Sequence, residues 1–467
     1  MKKALLIIFF LIGFNTMAEK KPNIIYLMLD EWGYFETSHM KNDYLITPNI
    51  DKFATQGMQF TNAYAGAPTC GPTRAVLLTG LHTGHTSMRS NDGYSAIREA
   101  EPTLGSMLKK EGYVTGGFGK WGVGARGTSG VPEKHGFDEF FGYYDQVHAH
   151  TYFPEYLIHN GKEVPLKGNS NQDRYKGETH AQDEIFEQSI KFIKKNKDVP
   201  FFCYLPWTPP HGHWGIKKDD PSWQLFKDKN WSAGQSKDTD AKVYAAFMHM
   251  VDRQLGEIMS LLKELDIDDN TVVFLCGDNG GEPYFKNEEH PHGFFAPNLN
   301  PETGERFRAG KGSLYDGGLK IPMYARWPGK IKAGSMSDHM FYFPDIMPTL
   351  ADIAKTDSPK TDGLSILPTL LNKEGQEEHK YLYWEYYRQT ALRMGDWKLY
   401  RKRKESSWEL YNISKDIEEL NDIAKSNPDI LKQMIAITEQ AHEDIRPGVI
   451  YDKELAFKDR PKHIKKK

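Results

Sequence analysis

Three uninterrupted apolar runs constrain the fold most: Asn23 to Leu29, Val199 to Leu205 and Thr271 to Cys276. Alternating hydrophobicity leaves one face of a strand in water, whereas continuous apolar residues require burial on both faces, as inside a parallel sheet. The runs stop abruptly, at Asp30-Glu31-Trp32-Gly33, at Pro206 and at Gly277-Asp278-Asn279-Gly280. Helical periodicity at Leu104 to Glu111, Ala181 to Asn196 and Ala241 to Leu265 separates them. Strands alternating with helices predict an α/β fold, a large mixed and mainly parallel sheet flanked by helices. Near Leu371 the composition changes. Tyr381 to Tyr386, Trp397 to Arg401 and Trp408 to Asn412 read as short strands, and Pro428 to Glu443 as a closing helix. They predict a small C-terminal α+β subdomain with a short antiparallel sheet, and a division into residues 1–18, 19–375 and 376–467.

Composition excludes several classes. With 39% apolar and 26% charged residues the chain can bury a core, so global disorder is excluded. A net charge of −3 argues against a nucleic-acid partner. The basic run His463 to Lys467 reads as a solvated terminus. Three cysteines, Cys70, Cys203 and Cys276, cannot build a disulfide framework. Met1-Lys2-Lys3, the apolar run Ala4 to Phe14 and the small Ala18 read as a secretory signal peptide over residues 1–18, which predicts a periplasmic or secreted protein. That run is shorter than the roughly 20 residues of a spanning helix, and no later segment is longer, so no membrane span is expected. Two long loops, Gly122 to Phe137 and Pro283 to Gly310, exceed simple connectors and are expected to be functional.

Ligands of open parallel sheets bind at the carboxyl ends of the strands. Two of the runs end there in hard oxygen donors, Asp30-Glu31 and Asp278-Asn279. Such residues either hold a hard divalent cation or simply cap turns and helices, and by themselves they leave both readings open. Cys70 opens an apolar helical stretch, Cys70-Gly71-Pro72-Thr73-Arg74-Ala75-Val76-Leu77-Leu78-Thr79-Gly80. A helix N-terminus favours a nucleophile and an anion, although a lone cysteine is more often a small buried apolar residue.

The Cys-Gly-Pro-Thr-Arg element followed by Leu-Leu-Thr-Gly resembles the signature of the type I sulfatases, of the alkaline phosphatase superfamily. Further similarity lies in Pro22-Asn23-Ile24-Ile25 leading to Asp30, Gly119-Lys120-Trp121, Thr208-Pro209-Pro210-His211, Gly277-Asp278-Asn279-Gly280 and Gly310-Lys311-Gly312-Ser313-Leu314-Tyr315-Asp316-Gly317-Gly318. The resemblance implies hydrolysis of a sulfate ester by formylglycine, made from Cys70 by a formylglycine-generating maturation enzyme. It implies one Ca²⁺ held by Asp30, Glu31, Asp278, Asn279 and an oxygen of modified Cys70. Arg74, Lys120 and Lys311 are implied as an anion clamp, and His211 as the group that protonates the leaving alcohol. In the implied reaction the hydrated aldehyde attacks sulfur, and its second hydroxyl then expels sulfate.

Two positions depart from the family pattern: Glu31 stands where a second Asp is usual, and Gly122 where a His is common. The missing His leaves a gap beside Lys120 that His148 or His150 is expected to fill, with His211 acting alone, or water or another residue, as the alternatives. An exported, aromatic-rich chain of this kind is expected to act on a carbohydrate sulfate. Candidate sugar contacts are His148, His150, Tyr152, Trp207, His213, Trp214 and His292. The alternatives are a phosphomonoester or phosphonate hydrolase of the same superfamily, or an inactive protein that binds sulfated glycans. Cys203 and Cys276 lie inside apolar runs and are expected as inert thiols. Thiol titration of the denatured, unreduced protein should therefore find both free; finding neither contradicts the reading.

Overall fold

The computed structural model describes residues 20–93, 95–170, 173–231, 238–445 and 452–460, and the expected signal peptide and the 463–467 basic run lie outside them. At its centre lies the strand Asn23–Asp30, with every residue buried. It pairs in parallel with Phe201–Pro210 on one side and with Thr271–Gly277 on the other. Its residues alternate between two cores. Ile24, Tyr26 and Met28 enter one, whereas Ile25, Leu27 and Leu29 enter the other. That alternation is the physical reason for the uninterrupted apolar run.

Among the described residues ten strands form the large sheet, parallel at its centre, antiparallel on both sides of it, and parallel again in one edge pair, Ser335–Ser337 with Met58–Phe60. Beyond Phe201–Pro210 comes the parallel strand Val114–Lys120, then Glu139–Tyr143. The Phe201 strand runs through Pro206, where the sequence predicts its end. Its ladder to Val114–Lys120 records a last pair at Gly117–Tyr204, so Pro206, which has no N–H to donate, stands past the end of one of its two ladders. Helices form at Leu104–Lys110, Ala181–Asn196 and Asp238–Glu264, close to their expected places. No helix among the described residues is long and apolar enough to cross a membrane.

Cys203 and Cys276 are buried and unpaired. Their strands flank the central one, and the two side chains enter opposite cores. A disulfide between them is therefore geometrically closed.

A second sheet joins Leu382–Tyr386, Gln389–Met394, Trp397–Arg401 and Glu409–Asn412 in sequential antiparallel order. The helix Pro428–Gln440 covers one face through Met434. Gln389–Met394 is absent from the sequence expectation because Gln, Ala, Arg and Met are weak strand formers; pairing on both sides overrides their preference. The other face carries a buried ionic knot. Lys398 Nζ lies 2.5 Å from Asp316 Oδ1 and 2.7 Å from Glu419 Oε1. Asp316 N–H donates to Glu419 Oε2 at 2.8 Å, and Arg393 stands 3.7 Å from Asp316 Oδ2. Burial alone raises the Asp316 carboxyl, but Lys398 and Arg393 outweigh it and bring it down to about 2. Breaking such a pair leaves an uncompensated buried charge, which costs about 3–5 kcal/mol. Lys398→Met should lower the melting temperature by several degrees at neutral pH in thermal denaturation; an unchanged midpoint contradicts this account of the knot.

Candidate active site

Register brings the site together. Leu29 pairs with Gly277, so Asp30 and Asp278 leave adjacent strands at one level. Asp278 N–H donates to Leu29 O, and Glu31 N–H donates to Asp278 Oδ1, both at 3.0 Å. Glu31 holds a φ of 65° to do so, a left-handed conformation that a non-glycine residue keeps only when its surroundings impose it. The helix Cys70–Thr79 is buried along its whole length and starts at the cysteine. Thr73, one turn on, donates its hydroxyl to Asp278 O at 2.8 Å. Arg74 Nη2 donates to Asp278 Oδ2 at 3.0 Å, and Nη1 to Lys120 O at 2.6 Å. Lys120 closes the strand Val114–Lys120, and its Nζ lies 2.5 Å from Asp30 Oδ2. The preceding Gly119 has φ 137°, and a Cβ there would lie 2.2 Å from Pro206 O, so only glycine lets these strands approach. His211 follows Phe201–Pro210 and puts Nε2 2.8 Å from Glu31 Oε1. Lys311 Nζ contacts the same oxygen and lies 3.4 Å from His211 Nε2.

Three carboxylates in a buried space need compensation. Burial favours the neutral form of Asp30, but Lys120, His211 and Arg74 reverse that and hold its carboxyl well below the usual range. Burial and the facing Asp30 push Asp278 up to about 8. Asp278 therefore favours added positive charge beside it, whereas Asp30 is already compensated. Asp30, Glu31, Cys70 and His211 each offer a ligand atom within 4.8 Å of the others. Asp30 Oδ1 and Asn279 Oδ1 are buried acceptors with no hydrogen-bond partner. Unpartnered hard oxygens beside facing carboxylates fit a hard divalent cation such as Ca²⁺. Glu31 differs from the rest, since His211 and Lys311 contact one of its oxygens and Tyr284 Oη donates to the other.

The candidate sugar-contacting residues separate. The His150 ring stacks on His211 at 4.3 Å, and His213 lies 6.1 Å from His150. Burial and the Arg174 guanidinium push His213 down to about 4. Trp214 packs at 4.9 Å from both Tyr284 and Phe285. Three candidates are corrected by burial. Trp207 is fully enclosed, Tyr152 is stacked on His180 and donates to His211 O at 3.0 Å, and His148 is wedged edge-on against Tyr143. These rings are packed among neighbouring side chains. His292 stands apart, 3.5 Å from Arg306 in a cleft with Lys286.

The gap at Gly122 is also corrected. Neither His148 nor His150 fills it: a Cβ on Gly122 would lie 2.6 Å from Gln146 Oε1 and 3.2 Å from Arg74 Cδ. With φ 75°, position 122 also strains any side chain. Gln146 Nε2 donates to Asn91 Oδ1 at 2.9 Å, while its Oε1 is buried without a partner. Gln146, Asn91 and Tyr284 are site neighbours that sequence reasoning missed. A search for titratable groups passes over amides, and Tyr284 carries no motif beyond its place after Gly280.

Comparison with known proteins agrees with this geometry. The Sulfatase family model matches residues 22–356, and the model for the C-terminal part of N-sulphoglucosamine sulphohydrolase matches residues 304–446. N-acetylgalactosamine-6-sulfatase of Canis lupus familiaris is 30% identical over 84% of this chain and 74% of its own. The N-acetylgalactosamine-6-O-sulfatase of Bacteroides thetaiotaomicron is 27% identical over 91% of this chain and 94% of its own. Among solved structures, Ps i-CgsB in complex with k-i-k-neocarrahexaose superposes with a TM-score of 0.75 at 27% identity, covering 94% of this chain and 97% of that one. With the matched model spanning most of the chain and its motif residues converging on one buried centre, the chain belongs to the sulfatase family, enzymes that hydrolyse sulfuric esters.

Proposed function

We propose that the substrate is a carbohydrate sulfate and that Cys70, converted to formylglycine by a maturation enzyme, is the nucleophile. The observation that carries this reading is the convergence of Arg74, Lys120, Lys311 and His211 on the strand ends beside the first turn of the Cys70 helix. The two N-acetylgalactosamine sulfatases and the carrageenan-oligosaccharide complex among the similar proteins support a sugar substrate. The basic and then apolar N-terminus supports export to the periplasm or beyond. Residues 19–375 are read as the catalytic unit and 376–467 as its accessory.

Asp30, Asp278, Asn279 and Glu31 would hold Ca²⁺. Bound there, the cation supplies fixed positive charge to a sulfate oxygen and acidifies a hydroxyl at position 70. Formylglycine at position 70, hydrated, would supply that hydroxyl and a second one beside it. Lys120 and Lys311 offer ammonium donors to the sulfate oxygens, and Arg74 fixes the cradle by clamping Asp278 to Lys120 O. His211 Nε2, 2.8 Å from Glu31 Oε1 and 3.4 Å from Lys311 Nζ, is placed to protonate the leaving alcohol or to donate a hydrogen bond to it. Burial and the adjacent His211 hold His150 well below the ordinary histidine range, and its Nε2 has no partner. Its unpartnered Nε2 beside His211 makes His150 the candidate acceptor of the last proton in this reading. Gln146 occupies the place of the missing histidine, but an amide orients a hydroxyl and takes no proton.

Cys70→Ala should abolish sulfate release from 4-nitrophenyl sulfate and leave the melting temperature unchanged, and peptide mass spectrometry should find the aldehyde at position 70. Parent-rate turnover by that variant, or an unmodified thiol in active enzyme, overturns the nucleophile. His150→Ala should lower kcat by about 10²-fold or more, the usual scale for a lost general base. It should also accumulate sulfated enzyme, while His148→Ala keeps the parent kcat. Equal rates in both variants remove His150 from the reaction.

A further inference from the structure

A surface groove of about 730 Å³ runs from the loop that carries Lys311 across the C-terminal sheet. Its inner end is Gly312 and Ser313, directly after Lys311. Gly312 N–H donates to Pro68 O at 2.8 Å, two residues before Cys70, so this part of the groove borders the segment that leads into the Cys70 helix. Four cations line it, Arg308, Arg388, Lys402 and Arg403, against one carboxylate, Glu409. That carboxylate is already engaged: Tyr315 Oη donates to it at 2.6 Å and Tyr411 Oη donates to the same oxygen. Arg308 is anchored over the Tyr315 ring at 3.9 Å. Arg388 and Lys402 stand exposed with Arg403, and among the described residues their side chains make no hydrogen bond or ion pair. Uncompensated like charges repel one another, and an anionic ligand relieves that repulsion.

The groove also carries an unusual aromatic residue. Tyr387 is 64% exposed and holds a φ of 51° at the turn between the first two strands of the small sheet. Its ring packs at 4.6 Å on Tyr386, which is buried beside Thr69. A large apolar ring in a left-handed turn is costly locally, and such outliers cluster at ligand sites. A ring of this kind offers a flat apolar face with a polar edge, which matches the alternating character of a sugar.

We infer that this groove binds the anionic glycan chain that continues from the sugar being desulfated, so the enzyme recognises a sulfated oligosaccharide and not an isolated monosaccharide. The inference rests on the carbohydrate-sulfatase reading. Continuity with the Lys311 loop favours a glycan over an acidic protein, which would need no access to the reaction centre.

Binding is separable from turnover. Cys70→Ala protein is titrated at low salt with hexasaccharides and disaccharides of chondroitin 6-sulfate and of ι-carrageenan, and with polyglutamate. At least one hexasaccharide should bind about ten-fold more tightly than its disaccharide, the scale of one well-made contact, and more weakly as salt rises. Adding Arg388→Ala, Lys402→Ala and Arg403→Ala together should remove that advantage. In otherwise intact enzyme the same three substitutions should leave the rate on 4-nitrophenyl sulfate unchanged. Tyr387→Gly should raise the melting temperature by relieving the backbone and still weaken hexasaccharide binding, a pairing that a purely structural tyrosine does not produce. No hexasaccharide binding, equal affinity with and without the three cations, or polyglutamate binding as tightly as the hexasaccharides overturns the groove and leaves the sulfatase reading standing. Tight, cation-dependent hexasaccharide binding without sulfate release by the intact enzyme upholds the groove and overturns the carbohydrate-sulfatase reading.

Discussion

Parallel pairing of Asn23–Asp30 with a strand on each side is the constraint from which the rest follows. Parallel strands all end at the same edge, so the residues that follow them are delivered to one place whatever their separation in sequence. Here that edge receives Asp30, Glu31, Asp278, Asn279 and His211. The concentration of carboxylates is unfavourable unless cations accompany it, and two come from neighbouring elements. Lys120 arrives at the end of the next strand, and Arg74 arrives on the helix that begins with Cys70. Because Arg74 binds both Asp278 and the backbone of Lys120, it ties the Cys70 helix to both sides of the acidic edge. Charge balance and alignment of the reacting group are one arrangement.

Strain at this edge has an identifiable cause. Glu31 turns left-handed because its N–H is captured by Asp278 Oδ1 while its side chain is held by His211, Lys311 and Tyr284. A residue constrained at both backbone and side chain cannot relax independently. The longer side chain at this position, compared with the aspartate usual in the family, spans the distance to His211 and to Tyr284 on the 283–310 loop.

Much of this was legible before the structure. Continuous hydrophobicity identifies strands buried on both faces because nothing else in a globular chain requires it, and all three central strands are found that way. The candidate site residues were legible for another reason: strand-end acids and a lone cysteine also fit caps and core packing, and their place in an ordered series of family motifs sets them apart. Aromatic and histidine side chains outside those motifs lack that distinction. Trp207, Tyr152 and His148 carry the composition of a sugar-binding surface but stack inside the core, since the same flat ring satisfies either role. The Gln389–Met394 strand was hidden because its pairing partners, and not its own side chains, determine its conformation. Gln146 was hidden because the space at Gly122 is a property of three dimensions: an empty position in a motif does not reveal which distant side chain occupies it.

The Asp316–Lys398–Glu419 knot gives the chain's apparent seam a different meaning. In topology the four-stranded sheet is separate, with its own strand order and its own covering helix. In energy it is not, because Asp316 lies five residues beyond Lys311 and its carboxylate is neutralised from across the seam. Local opening of the small sheet would expose that carboxylate and release the segment that carries the lysine. The ionic cluster therefore joins the small sheet to the segment that follows Lys311. Exchanging the C-terminal sheet for a foreign one would remove Lys398 and leave the Asp316 carboxylate buried without its partner.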